Sequence, residues 1–533
     1  MFFNRRYIPF LIFIGVLFLI EMIIDPLGNF ALNDDWAYAR SVFVWNQTGQ
    51  FTIGKWPAMS LFSHSLLGLV FVKILGFSYT VLRFSNMFFC VITLFFLYKF
   101  LAERKGTKLA TLICFIFILN PFYLNGFNSF MTDLTFINFS FLSFYVLATY
   151  FEKRKFSHLF LFLLLALLAT FTRQTGVILF VAFVVVATIQ WIKNKDGILV
   201  VYSLLCLCIC LILLFYFEMQ QKLVASDGMA YKGLFFFKQD VPFNMETIIA
   251  FVKRGCIMLV YTGGIFIVLG SFFLMENFKS IMVNKFSRMI YVGIAIGIFL
   301  FISTGFPSGN ILYNCGVGPE STIDRVYLET NSSHASSGIL FGIVISFFVI
   351  GFLLMSFIFD RELAKKSWTT KDPSCRYLII LLAMYAVLIG LSDVFFDRYS
   401  LFFTFFLTLI FLLEQDVQWK LDRKLPFILL LLIGIFSVLS AKDYFTVARS
   451  KQSIITELIK EQKIDKKQIH AGFEYELWDG TLNDFDWINF DHYQDKKFVL
   501  SSGPINGFEI FKAYPYRRYI PFKMDTIFVL RKR

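Results

Sequence analysis

Two adjacent carboxylates, Asp34 and Asp35, follow the first long apolar run within the segment Asn33 to Arg40 (NDDWAYAR). A carboxylate at a membrane surface could act as a general base and take a proton from a hydroxyl, with Trp36 and Tyr38 as aromatic walls. The same spacing also suits a cap, Asp34 or Asp35 starting a surface helix while the two aromatics anchor it at the interface. A third acid, Asp133, lies in NSFMTDLTF, Asn128 to Phe136, at the head of another apolar run. There, helix capping by Thr132 or Asp133 is the simpler alternative. Cations that could hold a phosphate in a partly dehydrated site are Lys55, Arg173, Lys253, Arg254 and Arg398. Arg supplies a planar fork for such an anion. Arg173 interrupts an apolar hairpin (LLATFTRQTGVILF), and Arg398 follows Asp397 in FFDRYSLFF, where the two could form a local ion pair. Lys253 and Arg254 also fit interfacial residues snorkelling to water.

Other chemistries have weaker support. The five histidines (His64, His158, His334, His470, His492) are scattered, and no HExxH, Walker loop or GxGxxG is present. Eight cysteines include no CxxC, and Cys206, Cys208 and Cys210 lie inside an apolar run. No cofactor is therefore expected; a divalent metal is not indicated, though the sequence does not exclude one.

These residues must be positioned by a bundle that lives in lipid. The chain of 533 residues is 57% hydrophobic and only 16% charged, with 72 Phe and a mean hydropathy of +0.68. That leaves too little polar surface for a water-soluble protein of this size. The net charge of +13 does not point to nucleic acid, because Lys and Arg cluster between apolar spans, where orientation signals belong.

Arg5 and Arg6 place the N-terminus inside, so the run Tyr7 to Ile24 exits, as a retained span with no cleavage site after it. Further spans are expected at about 82–98, 108–124, 134–151, 157–172, 175–192, 198–217, 255–275, 289–303, 338–358, 377–391, 399–413 and 426–440. That makes about thirteen. Residues 57–77 are apolar, but counting them as a span would turn the later basic loops outward. A placement in the interface or re-entry would restore the parity, and with Ser60, Ser63, His64, Ser65 and Lys73 interrupting the run an interfacial helix is expected. Residues 25–57, 125–133, 218–254, 304–337, 392–398 and the turn at Arg173-Gln174 then face outward. So does everything after about Ala441. The expected fold class is a polytopic α-helical membrane protein with interfacial helices in its first outer loop. It divides into a transmembrane part, 1–440, and an extracytoplasmic α/β domain, 441–533.

Taken in order, these segments resemble the C superfamily of glycosyltransferases, and within it the bacterial branch related to protein O-mannosyltransferases and lipid A aminoarabinose transferases. Asp34-Asp35-Trp36-Ala37-Tyr38-Ala39 is similar to the family's Asp-Glu-x-x-Tyr-Ala. Pro57, Ile74-Leu75-Gly76 and Arg83-Phe84-Ser85-Asn86 resemble its interfacial helix, turn and next span. Asn120-Pro121-Phe122 with Thr132-Asp133, then Arg398-Tyr399, and Ile469 to Tyr475 (IHAGFEY) resemble later motifs. Asp35 stands where the family often has Glu, and Pro57 stands alone where a Pro pair is usual.

The resemblance implies metal-independent, inverting transfer of a sugar from a polyprenyl-phosphate donor to a lipid, glycan or protein hydroxyl. It would occur at the outer face of the inner (plasma) membrane, with no nucleic-acid partner. Asp34 would be the base, and Asp133 would orient the acceptor or share that role, with Asp35 as a further catalytic candidate. Lys55 and Arg173 would stabilise the leaving phosphate, and Tyr38 and Arg398 would complete the binding set. Alternatives are a lipid-linked polysaccharide polymerase or ligase, and a transporter or flippase without catalysis. The early acidic pairs weigh against the first, and the lack of internal repeats weighs against the second.

Overall fold

Ile8–Ile24 shows how the sequence builds its helices. It is apolar on all sides apart from Glu21, carries Pro9 in its first turn, and buries Phe10, Phe13, Leu17, Ile20 and Ile24. Those positions recur every three or four residues, so one stripe faces protein. Leu11, Ile12, Phe18, Leu19 and Met22 remain exposed on the other faces, which is stable only against lipid.

The computed structural model describes residues 5–54, 56–195, 197–224, 244–281, 292–297, 311, 334–358, 372–392, 395–414, 423–479, 495–520 and 522–533. Its helices are α1 (Ile8–Ile24), α2 (Asp35–Thr48), α3 (Phe62–Leu75), α4 (Tyr79–Lys105), α5 (Thr107–Ile118), α6 (Pro121–Phe127), α7 (Thr132–Lys153) and α8 (Phe156–Thr170). They continue with α9 (Val177–Asn194), α10 (Gly197–Val224), α11 (Met245–Ile281), α12 (His334–Ile358), α13 (Pro373–Gly390), α14 (Ser400–Glu414), α15 (Lys424–Lys460) and α16 (Phe473–Asp479). Among the described residues, eight helices are long and apolar enough to cross a membrane, or nine if one bent pair is a single span. The chain is a multi-pass membrane protein. The span expected at 289–303 lies mostly outside the described residues.

Two expectations change in detail. The run at 108–124 is not one straight span, because α5 and α6 meet at 77°. Pro121 drives Asn120 out of the helical region (φ −71°, ψ 131°), and the Asn120 side chain accepts the Phe122 and Tyr123 N–H groups to start a new helix. The segments expected at 157–172 and 399–413 form α8 and α14, each of 15 residues. At 1.5 Å per residue each extends only about 22 Å. The helix within 57–77 is α3, with 14 residues and a buried edge of Ser63, His64, Ser65, Gly68 and Val72. At about 21 Å it is too short to cross a ~30 Å core.

Helices α11 and α12 cross at glycine. A Cβ on Gly263 would strike the Phe348 carbonyl, and one on Gly351 would strike the Gly263 carbonyl. Small residues at such crossings let backbones approach where no hydrophobic force between helices exists.

Past residue 441, α15 continues out of its apolar stretch and carries a sheet. Strands β1 (Ile469–His470), β2 (Phe498–Ser501), β3 (Phe508–Tyr519) and β4 (Phe522–Lys532) lie in the order β1-β2-β4-β3. The β1–β2 pair is parallel and the others are antiparallel. Val447, Ile454, Ile455 and Leu458 form one face of α15 and pack against Ile469, Phe498, Leu500, Tyr516, Ile527 and Val529. From this layer α16 reaches back to the first loop, stacking Trp478 on Phe77 with ring centres 5.8 Å apart.

Candidate functional site

The loop before α2 is held from below. Arg83, fully buried on α4, donates to the carbonyls of Pro26 (3.1 Å), Gly28 (2.9 Å) and Phe30. Its guanidinium lies 4.8 Å from the Phe30 ring centre and 5.2 Å from that of Phe445. Gly28 (φ +138°) exchanges hydrogen bonds with the Thr80 hydroxyl, and the Tyr79 N–H donates to Asn29 Oδ1. A Cβ at Gly28 would run into the Phe30 ring. Asn33 then turns in the left-handed region (φ +56°), and Asp34 stands at the N-cap position of α2.

The Asp34 side chain does not cap its helix. One carboxylate oxygen accepts from Arg398 Nη2 at 3.0 Å and the other from the Trp56 indole at 3.1 Å. Asp133, in the first turn of α7, pairs with Arg173 Nη2 at 2.9 Å and faces Arg398 Nε at 3.6 Å. Thr132 does not cap either; its hydroxyl accepts from Arg173 Nε and Nη2 at 3.0 and 2.8 Å. Two acids and two arginines thus form one connected set: Trp56, Asp34, Arg398, Asp133, Arg173, Thr132.

Local structure aims each arginine. Arg173 lies in the break between α8 and α9, where its carbonyl accepts the Gly176 N–H at 2.8 Å. A Cβ on Gly176 would meet the Thr170 backbone at 2.7 Å, so only glycine permits this close return. Arg398 sits in the single 3₁₀ turn Asp397–Tyr399. The Asp397 carboxylate accepts the N–H groups of Ile311 and Arg398, fixing the turn, while the guanidinium reaches away to Asp34 and Asp133. The local Asp397–Arg398 ion pair is therefore not the arrangement found. Tyr399 lies beside both guanidinium groups, at 5.5 Å from Arg173 and 5.8 Å from Arg398.

Side-chain exposure is 14% for Asp34, 13% for Arg173, 6% for Asp133 and 4% for Arg398. Asp34 and Arg173 are thus the members a ligand can reach first. Tyr38, buried on α2, is in electrostatic range of all four charges, and desolvation by burial followed by the Asp34 charge pushes its phenol up.

The other expected residues lie apart. Asp35 turns the opposite way, accepting the Leu32 N–H at 2.6 Å and facing Arg83. Burial raises its carboxyl to about 7, against the pull of Arg83 and that N–H. Arg254 lies within α11 and donates to the Gly390 carbonyl, at the C-terminus of α13. Lys55 lies outside the described residues. His64 is a core residue: its ring bridges the Thr135 hydroxyl and the Phe130 carbonyl, and burial lowers it to about 3. Among the described residues, no three His, Cys, Asp or Glu side chains gather where a metal ion would fit.

Sequence reasoning assigned no role to Trp56, Tyr399 or Glu474. Trp56 carries no signal in sequence, since its indole reaches Asp34 only through the loop fold. Tyr399 and Glu474 lie in segments quoted for the resemblance. Glu474 is half-buried beside the Asn33 backbone, and desolvation raises its carboxyl, with Asp34 adding to the rise.

Comparison with known proteins gives one family and two structures. Residues 63–216 match the family model described as dolichyl-phosphate-mannose-protein mannosyltransferase. That segment contains Thr132, Asp133 and Arg173; Asp34 and Arg398 lie outside it. No curated protein matches the chain. Among solved structures it is similar to ArnT from Cupriavidus metallidurans in the apo state and bound to undecaprenyl phosphate. Each comparison has 13% identity and a TM-score of 0.44, covering 98% of this chain and 97% of that one. The family model supports the class that the motifs resemble, a C-superfamily glycosyltransferase.

Proposed function

We propose that this protein transfers a sugar from a polyprenyl-phosphate donor to an acceptor hydroxyl at the extracytoplasmic face of the membrane. The observation that carries this reading is the convergence of Asp34 and Asp133 on Arg398, with Arg173 alongside. Buried charges are costly to keep in a membrane protein and are retained where they have a task.

In the proposed reaction Asp34 takes the acceptor proton as the hydroxyl oxygen bonds to the sugar's anomeric carbon. The bond from that carbon to the phosphate oxygen breaks, and its electron pair leaves on the phosphate. The leaving group is already a stable anion and needs positive charge rather than a proton. Arg173 supplies that charge from the more open side of the cluster, and Lys55 is the second candidate from sequence. Asp133 holds Arg173 and Arg398 in register and lies near enough to orient the acceptor. Fixed charges aimed at developing charge, in a site that excludes water, are the largest source of catalysis in such reactions.

The test is transfer by the full chain in proteoliposomes. Labelled polyprenyl-phosphate sugars are offered with candidate acceptors, and release of polyprenyl phosphate is followed. Acceptor-dependent release that is lost in Asp34→Asn is the expected result. Full activity in Asp34→Asn, or aqueous labelling of cysteines at positions 34 and 133 from opposite sides of the membrane, would overturn the proposal.

A further inference from the structure

The end of the β3–β4 hairpin lies level with the point where two helices leave the apolar layer. Helix α15 is apolar from Leu425 to Ala441, and its first charges beyond that are Lys442 and Asp443. Helix α1 ends at Ile24, and Lys442 Nζ donates to the Ile23 carbonyl at 2.8 Å. Arg449, two turns further along α15, donates to the Asp25 and Leu27 carbonyls. The two exits are therefore tied together at one height.

The hairpin end is tied to the same height. Asp443 accepts the Tyr519 N–H at 2.7 Å and pairs with Arg518 at 2.8 Å, while Lys442 Nζ lies 5.0 Å from the centre of the Tyr519 ring. In the strand register Tyr519 faces Phe522 and Arg517 faces Met524. Cross-strand partners point to one side of a sheet, so these four share a face. The other face, with Tyr516 and Arg518, is buried on the α15 side. Phe522 is 68% exposed and Met524 64% exposed. Leu19, Met22 and Ile23 of α1, and Leu27 just past its end, are also exposed apolar residues.

We propose that this hairpin end is an anchor for the lipid surface. Phe522 and Met524 enter the boundary between headgroups and acyl chains, Tyr519 sits at headgroup level, and Arg517 and Lys442 face lipid phosphates. Large apolar side chains next to an aromatic ring and cations are the pattern of interfacial attachment. The anchor adds a second membrane attachment for the sheet besides α15. The inference does not depend on the proposed chemistry, nor on which side of the membrane faces the cytoplasm.

The experiment uses the full chain in nanodiscs of phosphatidylcholine and phosphatidylglycerol, one copy per disc. Nitroxide labels are placed at Phe522→Cys, Met524→Cys and, as a control at the far end of the sheet, Ile510→Cys, in a background without other cysteines. At 522 and 524 the ratio of oxygen to nickel-chelate accessibility should be several-fold higher than at 510. Equal nickel access at all three positions overturns the anchor. Protection that appears only when copies are crowded, with spin–spin broadening, would assign the face to a second copy and also overturns it. Hydroxyl-radical footprinting of the unmutated chain needs no cysteine replacement. Met524 should be oxidised less than Phe511 in the discs, despite its more reactive sulfur, and the reverse order overturns the anchor.

Discussion

Asp34 and Asp133, on different helices, are bound by the same guanidinium: Arg398 reaches Asp34 at 3.0 Å and Asp133 at 3.6 Å. Asp34 stands at the N-cap of α2 without making the capping bond, and Asp133 lies in the first turn of α7, whose N-cap is Met131. At Asp34 a local capping contact is given up for a long-range network.

Under the proposed reaction, Asp34→Asn keeps an acceptor oxygen for only one of the two donors, Trp56 or Arg398, and removes the base. Transfer should fall by about 10²–10⁴-fold, the usual contribution of a placed proton acceptor. Measuring initial rates at saturating donor separates this from weaker donor binding. A change confined to KM would count against the base role.

Arg398→Met should cost more than activity. It leaves two partly buried carboxylates without their shared cation, a loss of roughly 3–5 kcal/mol when such a pair is broken from one side. The thermal midpoint in nanodiscs should drop accordingly. Adding Asp133→Asn should restore part of the loss, because the two residues share one interaction and their effects do not add. Simple additivity would show that the contact contributes nothing.

Asp35 sets a pH dependence of stability. Its carboxyl is raised from 3.8 to about 7 in the folded protein, first by burial. Between those values the folded state holds a proton that the unfolded chain has lost, so stability falls as pH rises from about 4 to 7 and stays reduced above. Asp35→Asn can still accept the Leu32 N–H and carries no charge. Its melting temperature should exceed that of the parent at pH 8 and converge with it toward pH 4. The same difference at both pH values would rule out this origin.

Gly263→Val should disrupt the α11–α12 crossing, since the new side chain would meet the Phe348 carbonyl. A backbone atom cannot swing aside, and overpacking of this kind costs roughly 1–3 kcal/mol or more. Gly15→Ala, where a Cβ meets nothing within 4 Å, serves as the control and should leave the melting temperature unchanged or higher.

The sequence by itself determined the membrane class, the apolar helices and the helix α3 in the first loop, and it singled out Asp34, Asp133, Arg173 and Arg398 as candidates. It did so because lipid allows few polar residues, so those that remain between apolar runs are conspicuous. It did not determine which acid faces which cation. Asp34 and Asp35 are neighbours with the same side chain, yet the left-handed turn at Asn33 and the Arg83 clamp send one to Arg398 and the other toward Arg83. Nor could spacing reveal Trp56, whose indole meets Asp34 only across the folded loop, or the 77° bend at Asn120-Pro121. Periodicity along a chain reports which side of an element is apolar. The direction of a charged side chain depends on partners hundreds of residues away, and only the assembled bundle brings those together.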